Sequence, residues 1–262
     1  MGQSQPFQTE QSQFNLGHAR PVIPVTVDNS ITPADSYCQY CRARSYCLPA
    51  ECHNNRPHHE LDHLIQRRRV LHEHHYLFRQ HDKADFLMVL SSGVCKSYFV
   101  DSKSREHVCG FFYPGDLIGI EALYSSSYQS NVVMLETGST CYIPIAQIRQ
   151  ALTTSPELQQ QVIKMLSQQL SHEYVAAGSF SAEERVVQFL LELSQKQKRL
   201  GYSDCQLRLF MSRNDIANYL GMRSETVSRV LTRLGKQHLI SVSRDLVTLC
   251  DIRQLHHLSA IN

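Results

Sequence analysis

Apolar positions along this chain repeat with three different periods, and the sharpest repeat lies in Ser212 to Lys236, SRNDIANYLGMRSETVSRVLTRLGK. Ile216, Ala217 and Leu220 make one apolar face. Val227, Val230, Leu231 and Leu234 make a second at spacings of three and four, so two helices are predicted. Ser212 can cap the first, with Asp215 three residues on returning the bond in a variant of the capping box. Gly221 breaks the pattern and supplies the permissive turn residue; the second helix is expected from about Ser224. Before the pair, Gln206 to Met211 reads as a strand. After it, Leu239 to Val242 and Leu246 to Leu249 read as a hairpin turning at Ser243-Arg244-Asp245. Strand, two helices and hairpin describe a winged helix-turn-helix.

From about Val70 to Ile145 the pattern shortens to strand length. Phe86–Leu90, Val94–Val100, His107–Phe112 and Val132–Leu135 are bounded by Ser-Gly, Asp-Ser-Lys-Ser and Tyr-Pro-Gly-Asp turns, which predicts a β-barrel or jelly roll. Cys95 and Cys109 alternate with apolar residues there and are expected as core thiols. Pro156 to about Gly178 reads as one long helix carrying Leu158, Val162, Ile163, Met165, Leu166, Leu170 and Tyr174. Within it Gln159, Ile163, Leu166, Leu170 and Glu173 follow a four-then-three spacing, a heptad seam expected to pair with a second copy of the chain. The other apolar side is expected to pack on the chain's own barrel. Glu173 is out of place on the seam: two carboxylates about 4–6 Å apart near a surface repel by roughly 3–4 kcal/mol.

The fold class expected is therefore α+β. Residues 1–35, rich in Gln, Ser and Pro, read as a disordered tail. A cysteine loop and β-barrel domain follow over 36–152, a dimerisation helix over 153–180 and the winged helix-turn-helix over 181–262. At 262 residues each domain can bury a core of its own. The net charge of +2 hides a division, because from Ser181 onward 12 Lys and Arg face 8 Asp and Glu, a balance of +4, while the remainder carries −2. A modestly basic C-terminal part fits phosphate contact. There is no run of about 18 apolar residues and no secretion-type N-terminus, so a cytoplasmic protein with no membrane span is expected. No paired acid/base or substrate-pocket motif points to an enzyme.

In a reducing cytoplasm, clustered cysteines argue for metal or redox chemistry over disulfides. Cys38, Cys41, Cys47 and Cys52 lie in DSYCQYCRARSYCLPAEC, beside Tyr37, Tyr40 and Tyr46. Three readings stay open on the residues alone: thiols in a loop, a zinc site using Cys38, Cys41 and Cys47 with Cys52 or His53, and an iron–sulfur cluster wrapped by an irregular loop. The histidines between His53 and His81, including His59 and His63 one helical turn apart, read as a solvated surface.

The outward face of the second helix carries Arg223, Glu225, Ser228, Arg229 and Arg233, which points to duplex DNA as the partner. Arg229 has the fork for guanine O6 and N7, and Glu225 can accept from cytosine N4. Arg223, Thr226 and Arg233 are better placed for phosphates, which position without specifying.

From Cys38 to about Leu249 the chain resembles the oxygen-responsive fumarate and nitrate regulators (FNR) of the CRP/FNR superfamily. The resemblance rests on Cys38-x2-Cys41-x5-Cys47 with Cys141 before Ile143-Pro144, on PGDLIGIEAL at Pro114 to Leu123, and on Glu225-x2-Ser228-Arg229. It implies a cyclic-nucleotide-binding-like jelly roll and a [4Fe–4S] cluster held by Cys38, Cys41, Cys47 and Cys141. It also implies a homodimer that binds TTGAT-type inverted repeats while the cluster is intact, with Ser228 against a thymine, and that activates, at some sites represses, anaerobic genes. RNA polymerase contacts are expected from surface loops such as Asp101 to Glu106. Cys52 lies outside the ligand pattern, and the tail before Cys38 is longer than the family's. Relatives that bind cyclic AMP carry Gly-Glu and then Arg-Ser in the barrel turn; Gly115 to Ala122 lacks that pair, so no cyclic nucleotide is expected. The alternatives are a zinc-stapled DNA-binding protein and a haem-carrying or nitric-oxide-sensing member of the superfamily.

Overall fold

The computed structural model describes residues 41, 43, 47, 64, 65, 67–177 and 180–259, with the backbone alone for 67, 68, 161 and 168–177. The tail, Cys38, Cys52, His53, His59 and His63 lie outside the described residues. Strands β1 (Arg67–Leu71), β2 (Tyr76–Phe78), β3 (Phe86–Ser92), β4 (Cys95–Val100), β5 (Glu106–Phe112), β6 (Leu117–Ile118), β7 (Asn131–Met134) and β8 (Gly138–Pro144) come first. They form two four-stranded antiparallel sheets ordered β1-β8-β3-β6 and β2-β7-β4-β5, the jelly roll expected. Leu87, Leu90, Ile118, Met134 and Ile143 are fully buried in its core. Here the two-residue alternation fails in an informative way. Five consecutive residues of β3, from Leu87 to Ser91, are buried, because helical residues cover what would otherwise be a wet face. Ile145 and Ile148 of α1 (Ile145–Thr154) and Leu158 and Val162 of α2 (Pro156–Ala177) belong to the same apolar cluster as β3. Ser155 caps α2 by accepting from the Leu158 N–H at 3.2 Å, and Pro156 takes the first helical position, where its missing donor costs nothing.

Cys95 is buried as expected, and burial pushes its thiol well above the ordinary range. Cys109 is not a core thiol but exposed. Ser97 pairs with Gly110 and Tyr98 with Val108, so Cys109 is the extra residue of a β-bulge and the strand turns it outward.

The C-terminal part begins with α3 (Ala182–Arg199), whose Ser181–Glu184 capping box has both of its bonds. Then follow β9 (Gln206–Arg208), α4 (Arg213–Tyr219), α5 (Ser224–Lys236), β10 (Ile240–Ser243), β11 (Leu246–Leu249) and α6 (Ile252–Leu258). The strands form a sheet ordered β10-β11-β9. This is the winged helix-turn-helix predicted, with β9 stopping at Arg208 rather than Met211. Arg208 already faces Leu246, the first residue of β11, and beyond it the partner chain turns away at Arg244-Asp245. The division near residue 181 does not bound the second core: Val94, Phe111 and Tyr113 of the jelly roll are buried in the cluster formed by α3 to α6.

Gly138 marks the tightest crossing in the jelly roll. A Cβ there would sit 2.0 Å from the Ser92 carbonyl oxygen and 2.8 Å from Gly93 Cα, both backbone atoms. Gly138→Ala should therefore cost about 1–3 kcal/mol through forced backbone displacement, read as a lowered midpoint in thermal unfolding of the full chain.

Candidate nucleic-acid interface and cysteine centre

The helix pair is built as its sequence dictates. The Ser212 hydroxyl accepts from the Asp215 N–H at 3.0 Å, and the Asp215 carboxylate accepts from the Ser212 N–H at 3.1 Å. Gly221 adopts φ +63° between the helices. The Arg185 guanidinium donates to the Leu220 carbonyl at 2.8 Å, satisfying an acceptor that the end of α4 leaves open. Ile216, Ala217 and Leu220, with Val227, Val230, Leu231 and Leu234, are all buried. That burial fixes the roll of α5 and turns Arg223, Glu225, Ser228 and Arg229 outward as exposed side chains, with Thr226 half-buried. Arg233 is exposed on the same helix but holds Glu183 at 2.7 Å, so its charge is already answered from the start of α3.

One cation that sequence reasoning passed over stands beside this face. Arg213 lines the groove between α5 and β10 with Ser228, Thr232 and Ser241. Its Nη1 is buried with no hydrogen-bond partner among the described residues, and desolvation lowers its pKa. A planar cationic fork with spare donors suits a phosphate oxygen. Its position as first residue of α4 was the available signal.

Cys141 lies on β8 between Arg68 of β1 and Val89 of β3, and is half-buried. Cys47 is buried, and its N–H donates to the Ala43 carbonyl at 2.9 Å. Both belong to the jelly-roll apolar cluster, Cys47 as a buried member and Cys141 packed against it, while Cys41 is half-buried. Among the described residues no three His, Cys, Asp or Glu side chains converge as a metal site. Among the described residues the candidate donors, Cys41, Cys47 and Cys141, are soft sulfurs in an apolar, half-solvated setting, chemistry that suits an iron–sulfur centre and is shared by thiolate zinc sites.

On α2, Ile163 is 60% exposed and Leu166 37%, whereas Leu158 and Val162 are buried, so the helix has the two apolar sides expected. Gln159 turns back to donate to the Leu152 carbonyl. The side chains of Leu170 and Glu173 lie outside the described residues. At the barrel turn, Tyr128 stacks on Phe78 with ring centroids 3.6 Å apart and donates to the Phe86 carbonyl at 2.6 Å. A Cβ at Gly119 would meet Tyr128 at 3.0 Å. The tip of the β4–β5 hairpin is organised by Asp101, which accepts from His107 at 3.0 Å and from the Arg105 side chain at 2.8 Å. These bonds, His107 first, hold its carboxyl well below the usual carboxylate range. Among the described residues no helix is long and apolar enough to cross a membrane.

Comparison with known proteins agrees with this architecture. Residues 68–155 match the family model of the cyclic nucleotide-binding domain and residues 184–258 that of the Crp-like helix-turn-helix domain. The anaerobic regulatory protein of Aggregatibacter actinomycetemcomitans is 32% identical over 86% of this chain and 89% of its own length. The fumarate and nitrate reduction regulatory protein of Vibrio cholerae is 31% identical over 86% of this chain and 91% of its own. The solved structure of FixK2 from Bradyrhizobium japonicum superposes with a TM-score of 0.67, covering 75% of this chain and 98% of that one at 24% identity, and so speaks to the fold. With sequence identity of that extent and both family models met in the order in which the domains fold, this chain belongs to the CRP/FNR superfamily of transcription regulators.

Proposed function

We propose that this protein regulates anaerobic genes by binding an inverted repeat of TTGAT-type half-sites as a homodimer, mainly as an activator, while a [4Fe–4S] cluster held by Cys38, Cys41, Cys47 and Cys141 is intact. The names of its relatives, anaerobic and fumarate–nitrate regulators, support the physiological setting. The observation that carries the reading is the outward face of α5: four side chains suited to DNA stand exposed on a helix whose opposite face is buried. Entering a major groove N-terminus first, α5 would bring Arg229 to guanine, Glu225 to cytosine N4 and Ser228 to a thymine. Arg223, Thr226 and Arg213 would meet phosphates. Arg233 would have to exchange Glu183 for one.

When bound, the cluster would supply oxygen lability, since iron and sulfide near solvent are open to oxidation. The chain's own part is mechanical. Three of the sulfurs come from one loop and the fourth from β8, so a shared centre ties that loop to the jelly roll. Cys47 and Cys141 pack in the cluster that also receives Leu158 and Val162 of α2, which supports a path from the centre to the pairing helix. Glu173 opposes pairing, and the dimer forms only when the tie repositions α2. RNA polymerase would be met at the β4–β5 tip, around Asp101 to Glu106. No role is assigned to a cyclic nucleotide: the phosphate-binding pair is missing from the turn, and Tyr128 and Phe78 pack against it.

Arg229→Ala should cost on the order of 1–3 kcal/mol and relax preference at one base pair, measured by titration against a panel of substituted operators. Arg223→Ala should weaken all sequences alike and reduce the log–log salt slope by about 1. Protein purified without air should be brown, contain iron and sulfide, and lose both its colour and its operator binding on exposure to air. A colourless protein containing zinc would select the zinc-stapled reading. Glu173→Ala should dimerise even without the cluster, seen as a shift in sedimentation; a monomer would overturn the role given to Glu173.

A further inference from the structure

The edge of the sensor sheet is closed by the first helix of the helix-turn-helix, not by another strand. In the order β2-β7-β4-β5, strand β5 is the edge, so its outward N–H and C=O groups lie open for pairing. The Asn218 side chain takes two of them: its Oδ1 accepts from the Val108 N–H at 2.8 Å, and its Nδ2 donates to the Glu106 carbonyl at 2.7 Å. One amide thus does for β5 what a peptide group of a neighbouring strand would do. One turn earlier on the same face of α4, Asp215 pairs with Lys96 of β4, and both side chains are about 15% exposed. The next residue on that face, Tyr219, meets the Phe111 ring of β5 edge-on at 5.4 Å. Asp215, Asn218 and Tyr219 therefore fall at i, i+3 and i+4, a helical stripe matched to the strand edge.

The Asp215 carboxylate also closes the capping box of α4. The group that starts the helix is thus the group that fastens it to the barrel. This docking leaves the outward face of α5 uncovered, since Arg223, Glu225, Ser228 and Arg229 remain exposed.

We infer that the edge of β5 is a docking rail for the helix-turn-helix, and that Asn218 and the Lys96–Asp215 pair are positioning residues that fix the angle of the recognition helix to the sensor barrel. The consequence for DNA rests on the dimer reading above. Two recognition helices held rigidly to paired barrels have one separation, and so accept one half-site spacing. With the rail broken the shared aromatic core still docks the two halves, but the angle is less closely set, so each helix would tolerate other spacings at the cost of affinity for the preferred one.

Two measurements on the full chain test this. In wild-type protein the Val108 amide should be protected from hydrogen exchange, and Asn218→Ala should speed its exchange on the order of ten-fold while amides of β10 and β11 are unmoved. Equal exchange in both proteins overturns the rail. Next, operators with the half-site spacing changed by one base pair are titrated anaerobically with wild type, with the Lys96→Met, Asn218→Ala double variant and with Lys96→Arg. The double variant should bind the native spacing more weakly and discriminate between spacings several-fold less, while Lys96→Arg, which keeps the charge, should retain the wild-type preference; discrimination by the double variant as sharp as wild type overturns the positioning role. If wild type binds no inverted repeat at all, the dimer reading fails instead, and the Val108 exchange still decides whether the rail exists.

Discussion

The rings of Phe111, Phe189 and Tyr219 meet within 5.4 to 6.0 Å of one another, and the rest of the architecture depends on that contact. One ring comes from a strand of the jelly roll, one from the helix that follows the long α2, and one from the helix-turn-helix. With Val94 and Tyr113 also buried there, the two functional halves share a core. Each such side chain is worth about 1.5–3 kcal/mol of burial, so separating the halves exposes enough apolar surface to make docking the default state. Lys196 adds a polar tie from α3 to the turn entering β6, donating to Asp116 at 2.7 Å, while Asp116 also accepts from the Tyr113 N–H at 2.9 Å.

Against that fixed core, the DNA face is sparing in its use of charge. The C-terminal part carries a net +4, and not all of it is available. Arg233 is held by Glu183, Arg208 by Asp245 and Arg185 by a carbonyl. What remains outward is Arg223 at the N-cap of α5, Arg229 on its face and Lys236 in its last turn, with a carboxylate, Glu225, beside the first two. A surface built for non-specific attraction would not place an acid at the start of its reading helix. The arrangement favours discrimination between bases over bulk phosphate attraction.

The helix pair was legible residue by residue because its determinants are local. A capping serine, a glycine at positive φ and apolar spacings of three and four each act within one turn of chain. Strand β1 was not legible, since RRRVL spends its side chains on charge and takes its place from the pairing with β8. Cys109 misled because a bulge is a relation between two strands, and nothing in EHVCGFF alone announces the shifted partner. Arg213 and Asn218 read as polar surface of a short helix; only the fold brings one to a groove and the other to a strand edge. The cysteine loop was visible as a cluster, but joining Cys141 to it took the resemblance, because β8 carries that residue some ninety positions downstream.

Strands β4 and β5 serve as a wall common to both cores, through the two-residue alternation that defines a strand. Val94 and Phe111 turn toward the helix-turn-helix, while their neighbours Cys95 and Phe112 turn into the jelly roll. The register makes this exact in space: Cys95 faces Phe112, and Lys96, which reaches for Asp215, faces Phe111. A change at Cys141 on the opposite sheet therefore meets two structures in turn. It meets α2 through the apolar cluster that holds Leu158 and Val162, and it meets the reading head only across a close-packed interior and this wall. Close-packed interiors transmit displacement with little compliance. On the proposed reading of α2 as the pairing helix, the shorter route makes the association of two copies the first response to a change at Cys141, with the attitude of the recognition helix following from it.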